Sequence, residues 1–262
     1  MYLGSVIDND DVHFESLLDD DDVYLDPEND KKVIEEWIKD NFSISGKLSI
    51  SNDFVADCSG DVSAKNKNIE LLTNGLFRWG EIGGTFNCYV CKNLTSLKGA
   101  PEKVGDSFCC GGCSKLTSLD GAPKKVRKSF YCHRCDKLET LEGAPKRVGL
   151  VFDCSGCHNL KSLEGAPKTV GGDFDCSDCV NLKSLEGAPK KVGKNFDCGA
   201  CDNLTTLEGA PKEVGRNFYC QECNNLETLE GAPEKVGNEI FCVNCNNLKI
   251  TDSDRKKYKI YD

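Results

Sequence analysis

The sequence predicts a mainly β solenoid of about eight 22-residue rungs, with short parallel strands, little or no helix on the convex side and a short N-terminal helical cap. The first observation is that 16 of the 18 cysteines fall into two series with a constant spacing of 22 residues. The second is that each rung repeats F-x-C-x-x-C-x-x-L-x-[ST]-L-x-G-A-P-x-x-V-G. Internal repeats of this length are typical of solenoids.

The third observation concerns energy. Burying one Phe, two Leu and one Val contributes roughly 6–12 kcal/mol, whereas ordering 22 residues costs roughly 22–44 kcal/mol in backbone entropy. A single rung therefore cannot fold alone, and the rungs must stack and share a core. The first cysteine of each rung is Cys88, Cys110, Cys132, Cys154, Cys176, Cys198, Cys220 or Cys242, and the second is Cys91, Cys113, Cys135, Cys157, Cys179, Cys201, Cys223 or Cys245.

Within a rung, the pattern separates strand from turn. In F-x-C the Phe and the Cys project to one side of an extended strand, since side chains alternate along it. From Pro101 to Pro233 every rung carries Gly-Ala-Pro, and proline both removes a backbone donor and disfavours helix at the residue before it. Extended or tightly turned backbone is therefore expected where a helix would otherwise return the chain.

The chain is divided by composition and by decay of the repeat. Residues 1–25 are expected to form an acidic flexible segment, 26–42 a capping helix, 43–84 degenerate capping rungs, 85–248 the solenoid and 249–262 a C-terminal cap. In the capping rungs, Phe54–Asp61 is interpreted as a repeat unit whose first cysteine is Cys58 and whose second has become Asp61.

Charge and hydropathy exclude some classes of protein. The net charge is -10, and residues 1–40 contain 14 acidic side chains against three lysines. A nucleic-acid partner is not indicated, because the chain has no excess of basic residues. No apolar run approaches the ~20 residues of a membrane span. The N-terminus has no pattern of a secretory signal. A monomer in the cytoplasm, without membrane or nucleic-acid partners, is expected.

Between Phe86 and Leu248, the repeat of this chain resembles the leucine-rich repeats. It is most similar to short variants that read F-x-x-C-x-x-L-x-x-[IL] followed by P-x-x-V, as in the BspA-like repeats of bacterial surface proteins. It is closer still to repeat proteins of tailed bacteriophages, whose units read S-L-x-G-A-P-x-x-V-G-x-x-F-x-C. The second cysteine, for example Cys157, matches the Asn/Cys position that closes the family's inner turn. The chain departs from the family in having Cys at both positions and in lacking convex helices.

This resemblance implies a recognition surface, although a fold alone names no partner. We therefore expect a non-enzymatic scaffold that binds another protein through its strand face. The phage resemblance further implies a host-directed binder or inhibitor of a bacterial factor, acting in the host cytoplasm.

The outward strand position between Phe and Cys is the candidate partner-binding column. It places Asp153, Asp175 and Asp197 on neighbouring strands, where like charges destabilise a sheet unless they are offset. Either local Lys128 and its equivalents Lys194 and Arg216, or basic groups of a partner, would offset them. The predicted partner-binding residues are Tyr131, Asp153, Asp175, Asp197, Tyr219 and Phe241, with His133 and Arg134 in the next outward column.

The cysteines admit three interpretations. Buried thiol columns are favoured, because free cysteine packs as a small hydrophobe. Disulfides would need an oxidising compartment. Zinc between rungs is the alternative, since C-x2-C pairs at this spacing occur in zinc ribbons; it would make the chain a CxxC array with a structural or metal-sequestering role. Its first candidate ligands are Cys88, Cys91, Cys110, Cys113, Cys132, Cys135, Cys154 and Cys157. No other cofactor is indicated.

Catalytic equipment is not evident in the sequence. His13, His133 and His158 are the only histidines, and none has a repeated partner that would form a catalytic triad. Cys109 is the only thiol within the array that lies outside the two series, at an outward position. We therefore expect no enzymatic activity.

Overall fold

Each 22-residue unit forms one turn of a solenoid, with a two-residue strand on each of two sides. The structure, a computed structural model, describes residues 27–262. It is a mainly β solenoid of about nine turns with parallel strands and a short N-terminal helix, which confirms the predicted fold class. The acidic segment predicted at residues 1–25 lies outside the described residues.

The helices and strands are short throughout. In chain order they are α1 (Pro27–Asn41), β1 (Ser43–Ile44), β2 (Leu48–Ile50), β3 (Val55–Cys58), β4 (Val62–Ser63), β5 (Arg78–Ile82), β6 (Phe86–Asn87), β7 (Lys103–Val104), β8 (Phe108–Cys109), β9 (Lys125–Val126), β10 (Phe130–Tyr131), β11 (Arg147–Val148), β12 (Phe152–Asp153), β13 (Thr169–Val170), β14 (Phe174–Asp175), β15 (Lys191–Val192), β16 (Phe196–Asp197), β17 (Glu213–Val214), β18 (Phe218–Tyr219), β19 (Lys235–Val236), β20 (Ile240–Phe241), α2 (Asp252–Lys257) and β21 (Ile260–Tyr261).

These strands make two sheets that face each other across the core. The Phe sheet has eleven strands in the order β1-β4-β6-β8-β10-β12-β14-β16-β18-β20-β21, and the Val sheet has ten in the order β19-β17-β15-β13-β11-β9-β7-β5-β3-β2. Equivalent residues of successive turns pair directly, as Phe152 does with Phe174 and Val170 with Val192. Every column of the repeat therefore becomes a column in space.

The core consists of such columns. The phenylalanines from Phe86 to Phe218 are fully buried and stack ring on ring, with centroids 5.2–5.7 Å apart and planes within 3–20° of parallel. The two leucines and the valine of each turn fill the space between the sheets. The ring separation is close to the ~4.8 Å spacing of paired strands, so stacking and backbone pairing are satisfied together.

Gly-Ala-Pro forms a tight turn where a helix would otherwise return the chain. Ala166 N donates to Leu163 O at 3.0 Å, and Gly165 between them has a φ of +87°. A positive φ at this turn position favours glycine. A Cβ on Gly165 would also overlap the backbone of Glu142 in the preceding turn. This glycine allows both the turn and the close stacking of turns.

The N-terminal end is closed by antiparallel strands and by α1. β1 pairs antiparallel with β4, and β2 with β3, while Ile34 and Ile38 of the helix are buried. Cys58 pairs with Ile82 in the Val sheet, and Val62 pairs with Phe86 in the Phe sheet. The interpretation of Phe54–Asp61 as a Phe-Cys unit is therefore wrong, because Val62 occupies the Phe position.

The C-terminal end adds one more parallel strand. Helix α2 begins with a capping box between Thr251 and Asp254, and β21 then pairs with β20. Arg255 Nη2 holds the terminal residue through Asp262 Oδ2 at 2.7 Å. Over residues 27–262, neither helix is long and apolar enough to cross a membrane.

Candidate functional site

The outer face of the Phe sheet carries the predicted partner-binding column. In each strand the Phe points into the core, so the next residue points outward, and these outward residues are partly exposed. We call them the strand-face column. Its members are Asn87, Cys109, Tyr131, Asp153, Asp175, Asp197, Tyr219 and Phe241.

The three aspartates of this column lie side by side. Each accepts a hydrogen bond from the turn that follows its own strand. Asp153 pairs in register with Asp175, and Asp175 with Asp197. Asp175 Oδ1 accepts from Ser177 N at 2.9 Å and from Ser177 Oγ at 2.6 Å. Asp153 makes the same two bonds with Ser155. A backbone amide and a hydroxyl therefore offset part of the charge of each of these two aspartates.

The lysines expected to offset the aspartates do not do so. Lys128 Nζ pairs with Asp106 Oδ1 at 2.8 Å. Within the described part of the chain, neither Lys194 nor Arg216 forms an ion pair with the column. Asp197 Oδ1 accepts from Gly199 N at 2.8 Å. The second oxygens of Asp175 and Asp197 accept no hydrogen bond from residues 27–262.

The three carboxyls differ in acidity. Burial raises the pKa of Asp197 to about 6, and the charge of Asp175 adds to this effect while the amide of Gly199 opposes it. Burial also raises the pKa of Asp175. Burial opposes ionisation of Asp153 too, but the His133 imidazole and the bonds from Ser155 outweigh it, so the pKa of Asp153 is lowered.

His133 and Tyr131 lie together at one end of the aspartates. His133 Nδ1 is 3.3 Å from Asp153 Oδ2, but it makes no well-aligned hydrogen bond within residues 27–262. Its ring lies 6.3 Å from that of Tyr131 and 5.6 Å from that of Tyr89. Arg134 is exposed beside them with a φ of +54°. The structure thus brings the predicted Tyr131, His133 and Asp153 into one cluster and adds Tyr89.

An aromatic ladder lies at the other end. Tyr219 stacks on Phe241 with centroids 4.9 Å apart, and Phe241 lies 5.4 Å from Tyr261. Tyr261 is 60% exposed and was missed by the sequence analysis. The signal was present, because Ile260–Tyr261 repeats the apolar–aromatic pair Ile240–Phe241.

A second polar column was also missed. The residues preceding the Phe positions form a ladder in which Asn195 Nδ2 donates to Asp173 Oδ1 at 2.8 Å and Asn217 N donates to Asn195 Oδ1 at 3.1 Å. Asn217 Nδ2 then donates to the hydroxyl of Tyr219 at 2.7 Å. This ladder lies beside the aspartates and fixes the Tyr219 side chain.

The cysteines form columns of free thiols in the core. From Cys113 onward, the second cysteine of each turn donates to the carbonyl of the first cysteine of the turn before, as Cys179 Sγ does to Cys154 O at 3.2 Å. Cys91 Sγ donates instead to Ala64 O at 3.0 Å. Burial raises the pKa values of Cys132 and Cys176 well above the usual range. At the outward position, burial raises the pKa of Cys109 to about 11, which favours the protonated, unreactive thiol.

The alternative zinc ligands are not gathered around a common point. Among residues 27–262, no group of three or more His, Cys, Asp or Glu side chains is placed to hold a metal ion. Zinc is bound by thiolates in tetrahedral sets, whereas Cys113 and Cys135 each donate a thiol hydrogen to a carbonyl of the preceding turn. The donor arrangement therefore does not fit the zinc alternative.

No family model, no curated protein and no solved structure matches the chain.

Proposed function

We propose that this chain is a non-enzymatic scaffold that binds another protein through the outer face of the Phe sheet. The observation that carries the proposal is the column Asp153–Asp175–Asp197, aligned in register and flanked by aromatic side chains at both ends. Tyrosine is among the residue types that are enriched at binding hot spots.

The chemistry of the column favours a partner with arginine or lysine side chains. The second oxygens of Asp175 and Asp197 accept no hydrogen bond from the described residues, so they are available to a guanidinium or ammonium donor. Hydrogen bonds between such ions are the strong ones. Burial, together with the charge of Asp175, raises the pKa of Asp197, and a cation nearby would favour the ionised form of this carboxyl.

The aromatic ends supply contact area for the partner. Tyr219, Phe241 and Tyr261 present a stepped surface along three turns, and the Tyr219 hydroxyl is held by Asn217. A pre-organised ring loses little conformational entropy when a partner packs on it. Tyr131, His133 and Arg134 complete the proposed face at the other end.

The finer assignment rests on the resemblance in the repeat. Similarity to tailed-bacteriophage and BspA-like leucine-rich repeats supports a host-directed monomeric binder or inhibitor acting in a bacterial cytoplasm. The absence of enzymatic activity is part of the proposal. It is supported by the high pKa of Cys109 and by the use of His133 as a neighbour of Asp153 rather than of a nucleophile.

The test is a comparative pull-down from bacterial lysate, followed by calorimetric titration of the captured protein. Asp175→Lys and Tyr219→Ala are expected to weaken binding at least tenfold, which corresponds to about 1.4 kcal/mol. Asp175→Asn keeps the hydrogen bond to the turn and is expected to weaken binding less than Asp175→Lys does.

Glu186→Lys is the matched control, because it makes the same change of charge at an exposed position of the same turn, outside the face. It is expected to bind as the wild type does. Equal loss in this control, or undiminished binding by Asp175→Lys, would refute the proposed face.

A further inference from the structure

The outer face of the Val sheet, opposite to the proposed binding face, carries a basic groove. Its lining includes six basic residues, Lys103, Lys124, Lys125, Arg127, Lys146 and Arg147, and one acidic residue, Glu81. The chain from residue 41 onward is almost neutral in total, so an overall excess of basic residues does not explain the groove. The cations come together because their positions in the repeat place them on the same face. The solenoid therefore separates charge that the sequence mixes.

Most of these cations lack a partner. Lys103 pairs with Glu81, but within residues 27–262 no ion pair involves Lys124, Lys125, Arg127 or the other two members of the groove. Lys103 and Lys125 are direct neighbours across paired strands. Like charges at such positions destabilise a sheet, so an anionic occupant would stabilise this part of the solenoid.

The chain itself contains a segment of complementary charge. Residues 1–26 hold nine Asp or Glu side chains and no Lys or Arg. Four of the nine are consecutive, Asp19–Asp22, and apolar side chains at Phe14, Leu17 and Leu18 lie close to them in sequence.

The tether has a suitable starting point and length. Lys31, one turn into α1, donates to Asn52 Oδ1 at 2.7 Å, and Asn52 follows β2, the edge strand of the Val sheet. From β2 to β9 is four strand steps, roughly 19 Å at ~4.8 Å each. Asp19–Asp22 precede Pro27 by five to eight residues, which span roughly 16–28 Å when extended.

We propose that the acidic segment, residues 8–22, docks in the basic groove of its own chain. The groove is then an intramolecular anion site, separate from the strand-face column on the other sheet. Short tethers give effective concentrations in the millimolar range, so a modest electrostatic attraction suffices. An external acidic ligand would have to displace this segment.

The test uses the full-length chain and a carbodiimide, which joins carboxylates to nearby lysines without a spacer. Peptide mapping by mass spectrometry is expected to find Asp19–Asp22 linked to Lys124, Lys125 and Lys146. Mixing ¹⁵N-labelled and unlabelled chains separates links within one chain from links between chains. Raising the salt from 0.1 M to 1 M shortens the Debye length from about 10 Å to about 3 Å and is expected to suppress the links.

Charge reversal provides the controls. The double substitution Lys124→Glu and Lys125→Glu is expected to abolish the links to the remaining Lys146. Lys190→Glu with Lys191→Glu, the equivalent pair three turns farther along the solenoid, is expected to leave the links intact. Links spread evenly over lysines of both sets, or found only between chains, would overturn the proposal.

A second measurement distinguishes an occupied groove from an open one. If the segment occupies the groove, replacing Asp19–Asp22 by asparagine should raise the affinity for a short DNA duplex several-fold, because phosphates bind exposed lysine and arginine clusters. Equal affinities of the wild type and this variant, with or without binding, would show that the segment does not cover the groove.

Discussion

Asp153 and Asp175 are direct neighbours in adjacent parallel strands, yet the pKa of Asp153 is lowered and that of Asp175 is raised. Both are buried to a similar degree and both accept two bonds from a serine. The difference lies in His133, which is 3.3 Å from Asp153. One turn farther, burial and the charge of Asp175 raise the pKa of Asp197 to about 6. The column thus changes in acidity along the solenoid.

Asp197→Asn is expected to stabilise the protein at pH 8. Because the pKa of this carboxyl rises from 3.8 to about 6 on folding, the folded state binds its proton more tightly. Its favourable contribution is complete below pH ~4 and is lost as the pH rises through ~6. This difference in pKa between the unfolded and folded states corresponds to a cost of up to about 3 kcal/mol in the free energy of unfolding when Asp197 is ionised. Asparagine keeps the turn bond, as Asn87 does with Tyr89 N, so a gain of about 1–2 kcal/mol is expected.

The measurement is the free energy of unfolding in urea at pH 8 and at pH 4, where the gain should shrink. Asp153→Asn is the control with the opposite sign, because a lowered pKa stabilises the folded state at pH 8. A gain of stability in both variants, or in neither, would contradict the assignment of acidity.

Gly193→Ala is expected to cost about 2–4 kcal/mol of stability. A Cβ there would overlap the backbone oxygen of Gly171 in the preceding turn, so two turns would have to separate. Gly199→Ala is the control, since its Cβ would meet first the end of the Gln221 side chain at 2.7 Å, which can move. Thermal unfolding compares them, and equal midpoints would argue against close stacking at Gly193.

Val90→Gly is expected to stabilise the protein by about 0.5–1 kcal/mol. Val90 has a φ of +58°, a conformation that costs a residue with a Cβ about 1–2 kcal/mol, more than the roughly 0.5–1 kcal/mol of entropy lost by glycine. Gly156 occupies the equivalent position at +64°, and Gly156→Ala should lose about 1 kcal/mol. Chemical denaturation of both variants measures the difference, and a loss in Val90→Gly would show that its packing outweighs the strain.

Purified protein is expected to contain 18 free thiols and no stoichiometric zinc, because every cysteine is unpaired and the described residues form no metal cluster. A chromogenic thiol reagent should count all 18 after denaturation. In the folded state only Cys109 and Cys245, the two incompletely buried thiols, should react, and slowly, since burial raises the pKa of both to about 11. A lower count, or several zinc ions by elemental analysis, would revive the alternatives.

The repeat made the solenoid predictable because one spacing sets all the pairings. Once Phe152 is placed 22 residues before Phe174, strand register and the cysteine, leucine and valine columns follow together. The capping rungs were not predictable in the same way. Val62 pairs with Phe86, two residues beyond the regular interval, and a local F-x-x-x-C pattern does not reveal which sheet a strand will join.

The candidate face was predicted in its position but not in its electrostatics. Alternation placed Asp153, Asp175 and Tyr219 on the outer surface, whereas the bonds that offset the charges come from the residue two positions later. The Asp-x-Ser sequence at Asp153 is a signal for such a turn and could have been used. The basic groove depends on residues of several turns that only stacking brings together, so charge totals along the chain do not reveal it.

Hydrogen bonds between turns join residues that are about one repeat apart in sequence. Examples are the bond from Cys132 N to Asp153 O and the bond from Cys179 Sγ to Cys154 O. The solenoid can therefore lengthen or shorten only in steps of one repeat. Excising residues 155–176 would rejoin equivalent points of two turns, shorten the molecule by about 4.8 Å and reduce the row of three carboxylates to two. The length of the solenoid is thus set by its number of repeats, and unequal recombination between the repeats is a direct genetic route to changing that length.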